Sequence, residues 1–230
     1  MQGALQGALL ACGRRVPSCA AVTVVLLLAA ALALVDWVGV VRDDRHLRWI
    51  GKPGTMVALI AAAVTGSDGV APGVRWWIVA GLVLSLAGDV FLLLSERWFV
   101  AGLGSFLLAH IAYIVAMQQV GTAAGQLLAG FVAAGVVGVV VGRPIVRGAA
   151  ARDPAMRVPV AAYLLAISVM VAVAIGTGEP WLVAAAALFY CSDGILGWNR
   201  FVEARRWMPL AVMVSYHLAQ AGFVAFLVTR

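Results

Sequence analysis

A chain of 230 residues with 64% hydrophobic residues, 11% charged ones and a mean hydropathy of +1.03 lies far from the roughly one quarter charged of soluble domains. Apolar stretches of about 20 residues exclude a soluble fold, and the absence of period-2 alternation excludes an outer-membrane barrel, so the expected class is all-α: a polytopic membrane protein with about eight transmembrane helices. The formal charge of +6 does not indicate a nucleic-acid partner, because the basic residues fall in short loops between apolar runs.

In chain order, residues 1–19 read as a short N-terminal segment and residues 20–230 as a single integral membrane domain. Arg14 and Arg15 before an apolar run resemble a secretory signal. The run from Cys19 to Val41 is longer than the ~7–15 residues of a signal core, however, and is expected to stay as the first span. Cys12, Cys19 and Cys191 have neither metal-ligand spacing nor the even number of a disulfide framework, and read as small apolar residues. Apolar length and charged or Gly/Pro punctuation predict spans at 20–41, 52–66, 75–95, 98–118, 124–142, 157–176, 180–200 and 207–229. The uncharged region from Trp98 to Gly142 is too long for one crossing, and Gln118-Gln119 and Gly121-Thr122 mark the turn that divides it.

Of the 16 Lys and Arg residues, 12 lie in loops one, three, five and seven or at the adjoining helix ends. The positive-inside rule then makes the odd-numbered loops cytoplasmic and puts both termini outside, in a cell membrane. All eight tryptophans fall at or near predicted helix ends, as amphipathic rings do at the headgroup level. Pro53, Pro159, Pro180 and Pro209 are expected in first helical turns, where a missing N–H costs little, and none to interrupt a span.

Against this apolar background two acids stand out. An Asp at the centre of a spanning helix costs about 2.5–3.5 kcal/mol on insertion scales, so an intramembrane Asp marks a functional site by default. Asp89 lies six residues before the predicted end of the third span and Asp193 seven before that of the seventh, so the two are expected at one level and in one site. Asp36 is similarly shallow and suits a structural or solvated role, Lys52 opens the second span on the same side, and His110, Tyr216, His217 and Gln220 lie deeper. A weak internal echo places His110 on the span after Asp89 and His217 on the span after Asp193, which leaves a four-helix duplication open. The Gly- and Ala-rich fifth and sixth spans read as close-packing surface without chemistry.

Lys52-Pro53, Gly88-Asp89, the run FVAGLGSFLLAHIAY from Phe99 to Tyr113, Ser192-Asp193 with Arg200-Phe201, and Tyr216-x-x-Ala-Gln220 together resemble the YhhN-like lysoplasmalogenase family, in the family's order. His217 departs from the aromatic or apolar residue expected inside the last motif. The resemblance implies an eight-span membrane hydrolase that cleaves the vinyl ether bond of a lysoplasmalogen, a lysophospholipid drawn from the lipid bilayer. The products would be a fatty aldehyde and glycerophosphoethanolamine or glycerophosphocholine. A vinyl ether is hydrolysed by protonation of its β-carbon and capture of the resulting oxocarbenium ion by water, which asks for one acid and one anion. Asp89 and Asp193 are the expected catalytic pair, with the assignment open, in the two-carboxylate logic of glycosidases. Lys52, His110, Tyr113, Ser192, Tyr216 and Gln220 are expected to bind substrate or position water; for Lys52 the alternatives are pairing with the substrate phosphate or snorkelling to the interface. Neither metal nor cofactor is called for. The rival reading is a transporter or lipid-binding membrane protein that uses the same acids for a proton or a cation.

Overall fold

The computed structural model describes residues 20–66 and 69–230 in full and residues 2–19 as backbone, so the expectations for the 1–19 segment, with Arg14, Arg15, Cys12 and Cys19, lie outside the residues described with side chains. The chain forms α1 (Gln2–Arg42), α2 (Arg45–Thr65), α3 (Pro72–Leu93), α4 (Phe99–Val120), α5 (Ala124–Val137), α6 (Arg143–Arg152), α7 (Arg157–Thr177), α8 (Pro180–Phe201) and α9 (Met208–Val228). Eight lengths of helix among the described residues are long and apolar enough to cross a bilayer, with the first starting at Ala20 and α5 and α6 sharing the fifth. The protein is a multi-pass membrane protein of the expected all-α class.

Sequential helices pack as hairpins, most extensively α1 with α2, α3 with α4 and α8 with α9, while α5 packs on α7. Contacts of α9 with α1, α2 and α3, and of α7 with α4 and α8, close the bundle. Two thirds of the α9 span is buried against 11% of the fifth span, so α9 is the axis and α5–α6 the flank. Gly121, at φ +98°, makes the tight turn between α4 and α5 that the sequence marks.

Two spans depart from expectation. The second starts seven residues early, at Arg45, because Asp44 caps it by accepting hydrogen bonds from the backbone N–H groups of His46 (2.8 Å) and Leu47 (3.2 Å). Pro53 therefore lies inside α2, where it removes one helical hydrogen bond, and not in a first turn as expected. The fifth span runs ten residues past its predicted end, through a π turn at Gly138–Gly142 into α6. Pro144 explains that turn, since it cannot donate the hydrogen bond that would keep the α register. The extension matters for the site, because Ile145 and Ala149 of α6 pack with Val160 against the ends of α7 and α8.

Candidate active site

The hairpins α3–α4 and α8–α9 bring the two expected acids into one buried region, each held by a different set of partners. Asp89 on α3 is fully buried, and its Oδ1 lies 3.0 Å from Lys52 Nζ of α2. Its Oδ2 accepts a 2.6 Å hydrogen bond from the Tyr216 hydroxyl of α9. Lys52 is only 2% exposed, so it does not snorkel to the interface; it spends its charge on the acid. Among the described residues no lysine or arginine makes ion-pair contact with Asp193 on α8. Its Oδ2 accepts a 2.5 Å hydrogen bond from the Tyr163 hydroxyl of α7 and lies 3.6 Å from His110 Nε2 of α4.

The partners are exchanged between the hairpins. His110 follows Asp89 in sequence yet faces Asp193, while Tyr216 follows Asp193 and binds Asp89. The two histidines of the echo in the sequence are not equivalent in the fold, since His110 faces Asp193 and His217 faces Asp36. Aromatic rings stand among the partners of the two acids. His110 stands edge-on to Phe189 with centroids 4.7 Å apart, and Phe189 to Tyr216 at 5.5 Å. Close packing of α3 on α4 makes room for this wall, because a side chain at Gly81 would collide with the Tyr113 ring and one at Gly88 with the Phe106 ring.

The remaining expected residues divide. The Tyr113 hydroxyl donates a 2.7 Å hydrogen bond to Gln220 Oε1, a buried link between α4 and α9 beside Tyr216. Ser192 donates to the Val212 carbonyl at 3.1 Å, which ties α8 to α9. Tyr163 corrects the reading of the sixth span as free of chemistry. A phenol in a run of Ala, Leu and Val was the available signal, since a buried Tyr hydroxyl nearly always has a partner.

Asp36 is buried completely, which removes the solvated reading. Its carboxylate stands 3.9 Å from Arg48 Nε and 4.0 Å from His217 Nε2. The Trp37 indole N–H donates to His217 Nδ1 at 3.0 Å, so a neutral His217 carries its proton on Nε2, toward Asp36. Gly51 lets α2 lie directly on the α1 backbone at this point.

Two pockets meet at the acid region. The first is apolar and runs between α3, α4, α6, α7 and α8, with Asp193 and Tyr163 on its wall beside Phe106, Leu103 and Ile145. The second is a polar vestibule lined by Arg48, Lys52, Ser95, Glu96, Asn199 and Arg200. Leu92, Phe99, Leu196 and Arg200 belong to both. Together the two pockets form an amphiphilic site, with cations at one end and an apolar chamber with a carboxyl group at the other. Among the described residues no group of three or more His, Cys, Asp and Glu side chains is placed to hold a metal ion.

The YhhN family model matches residues 47–227, a stretch that holds both acids and every partner named above except Asp36 and Trp37. A Mycobacterium tuberculosis protein named lysoplasmalogenase is 34% identical over 189 residues, which covers 75% of this chain and 68% of that protein. The human protein named lysoplasmalogenase TMEM86B is 33% identical over 141 residues, 60% of this chain and 58% of its own. An Escherichia coli protein named uncharacterized membrane protein YhhN is 30% identical over 88 residues, 37% and 41% respectively. No solved structure gives a significant match.

Proposed function

The chain belongs to the YhhN family, and we propose that it is a membrane lysoplasmalogenase, an ether hydrolase that converts a lysoplasmalogen and water into a fatty aldehyde and a glycerophospho-alcohol. The single observation that carries this reading beyond the relatives' names is the unequal partnering of the two acids, with Asp193 on the wall of an apolar chamber that meets a cationic vestibule. The membrane domain, residues 20–230, lies in the cell membrane with its odd-numbered loops cytoplasmic and both termini outside; the distribution of Lys and Arg supports that orientation.

The assignment of roles follows from the partners. The Lys52 ammonium 3.0 Å away matches a negative charge on Asp89, so Asp89 takes the part of the anion. Among the described residues Asp193 has no such cation in contact, and it stands on the wall of the apolar chamber, so it takes the part of the general acid. Protonation of the vinyl ether β-carbon by Asp193 leaves an oxocarbenium ion whose charge the Asp89 anion stabilises across the aromatic region. Water adds to the α-carbon and gives up a proton to the Asp193 carboxylate, which restores the acid. The hemiacetal then collapses to the aldehyde and the free glycerol hydroxyl. Tyr163 and His110 orient Asp193; Tyr216 and Lys52 hold Asp89, with Tyr113 and Gln220 bracing Tyr216. The lysolipid headgroup occupies the vestibule, and its phosphate meets Arg200 and the rim of Lys52 and Arg48.

Aldehyde release from a lysoplasmalogen by the purified protein tests this reading, with the matching saturated alkyl-ether lipid as control. Aldehyde from the vinyl ether alone, lost in folded Asp89→Asn and Asp193→Asn proteins, is the expected result. A folded wild-type protein that releases none from any headgroup would remove the assignment and leave the acids to proton or cation binding.

A further inference from the structure

The vestibule holds three cationic side chains and a single carboxylate, and their engagements differ. Lys52 is paired with Asp89, and Arg48 leans toward Asp36. Arg200, on the wall shared with the apolar chamber, is paired with Glu96 at 2.6 Å, and the Glu96 side chain is 84% exposed. The Arg200 guanidinium also rests 3.6 Å from the centre of the Phe99 ring, a cation–π seat that does not depend on Glu96.

These facts make the Arg200–Glu96 pair exchangeable. An exposed ion pair contributes little to stability, and the Phe99 ring keeps Arg200 in place when its carboxylate partner leaves. A ligand with phosphate and ammonium joined by a two-carbon link presents the same two charges as the pair. Phosphate on Arg200 and ammonium on Glu96 replace one ion pair by two, with both charges still matched. A lipid that ends in bare phosphate engages Arg200 but leaves Glu96 beside its added negative charge.

We propose that Glu96 is a specificity-determining residue that binds the primary ammonium of a phosphoethanolamine headgroup while Arg200 binds its phosphate. The proposal rests on the reading of the vestibule as the headgroup site of a lysolipid enzyme. A primary ammonium donates charge-assisted hydrogen bonds to a carboxylate, so the selectivity is for an amine and not for size.

The test uses binding, which needs no turnover. Saturated alkyl-ether lysolipids with phosphoethanolamine or bare phosphate are titrated into the protein in nanodiscs, for wild type, Glu96→Gln and Glu96→Asp. Wild type is expected to favour phosphoethanolamine. In Glu96→Gln that lipid weakens roughly tenfold while the phosphate lipid binds equally or more tightly, because Arg200 loses its internal competitor. Glu96→Asp retains part of the preference. Equal weakening of both lipids in Glu96→Gln, or no change in either, overturns the proposal. Aldehyde release from the vinyl-ether lipids by wild type is scored separately, so failure of the hydrolase reading and failure of Glu96 as headgroup reader give different results.

Discussion

Asp89 and Asp193 are the same residue type, both deep in one helical bundle, yet their surroundings are opposites. Asp89 has a lysine and a phenol; Asp193 has a phenol and an imidazole and, among the described residues, no lysine or arginine in contact. Asp89 is therefore part of the electrostatic structure of the bundle, and its removal strands a buried ammonium. Asp193 is held by hydrogen bonding at the surface of an apolar chamber, and the fold can do without its charge. A pair of intramembrane acids is thus better described by what each one neutralises than by their shared depth.

The largest expected effect separates the two directly. Asp193→Asn preserves an acceptor for the Tyr163 hydroxyl but cannot donate a proton to carbon. It is expected to lower kcat for aldehyde release by ~10²–10⁴, the usual contribution of a general acid, with the thermal midpoint in detergent unchanged. Asp89→Asn is expected to lower activity and the midpoint together. If the midpoint falls more in Asp193→Asn than in Asp89→Asn, the contrast between them is wrong.

Lys52 sharpens the same contrast from the other side. Lys52→Met leaves Asp89 buried without its cation and is expected to destabilise the protein by ~3–5 kcal/mol, as broken buried ion pairs do. The double variant Lys52→Met/Asp89→Asn removes both charges and is expected to recover most of that loss in a denaturation cycle. Additive losses would mean that the 3.0 Å contact is not energetically coupled.

Smaller effects belong to the phenols. Tyr163→Phe removes the donor to Asp193 and is expected to reduce kcat roughly 10–100-fold with little change in KM, the range for hydrogen bonds to charged or reacting groups. Tyr216→Phe removes the donor to Asp89 and is expected to act mainly on stability. Steady-state kinetics and unfolding of the two variants side by side distinguish these outcomes, and identical profiles would erase the functional difference between the acids.

Much of this arrangement is legible in the sequence, because lipid leaves few ways to bury a helix. Apolar length gives the spans, and the rarity of acids in them singles out Asp89 and Asp193. Partner identity is another matter. His110 follows Asp89 and Tyr216 follows Asp193 along the chain, but which hairpin faces which acid is decided by packing, and the pairs are crossed. Tyr163 sits in a span whose neighbours are all apolar, so only its isolation hints at a partner. The early start of α2 depends on one cap, Asp44, in a stretch whose charges otherwise read as loop. The extension through α6 depends on a π turn that apolar periodicity does not reveal.

The smallest expected effect tests whether neighbourhood in sequence implies neighbourhood in the site. Ser192 precedes Asp193 and belongs to the same motif, but consecutive helical residues point about 100° apart. Its hydroxyl is committed to the Val212 carbonyl of α9, on a different side of α8 from the Tyr163 bond. Ser192→Ala is therefore expected to cost ~0.5–1.5 kcal/mol of stability, the worth of one hydrogen bond, and to leave kcat and KM for the vinyl-ether lipid at wild-type values. A large fall in kcat with unchanged stability would put Ser192 among the groups that meet substrate. That would require α8 to turn about its axis during turnover, carrying Asp193 with it, and the hydrogen bond from Tyr163 would then describe a resting state and not the reacting one.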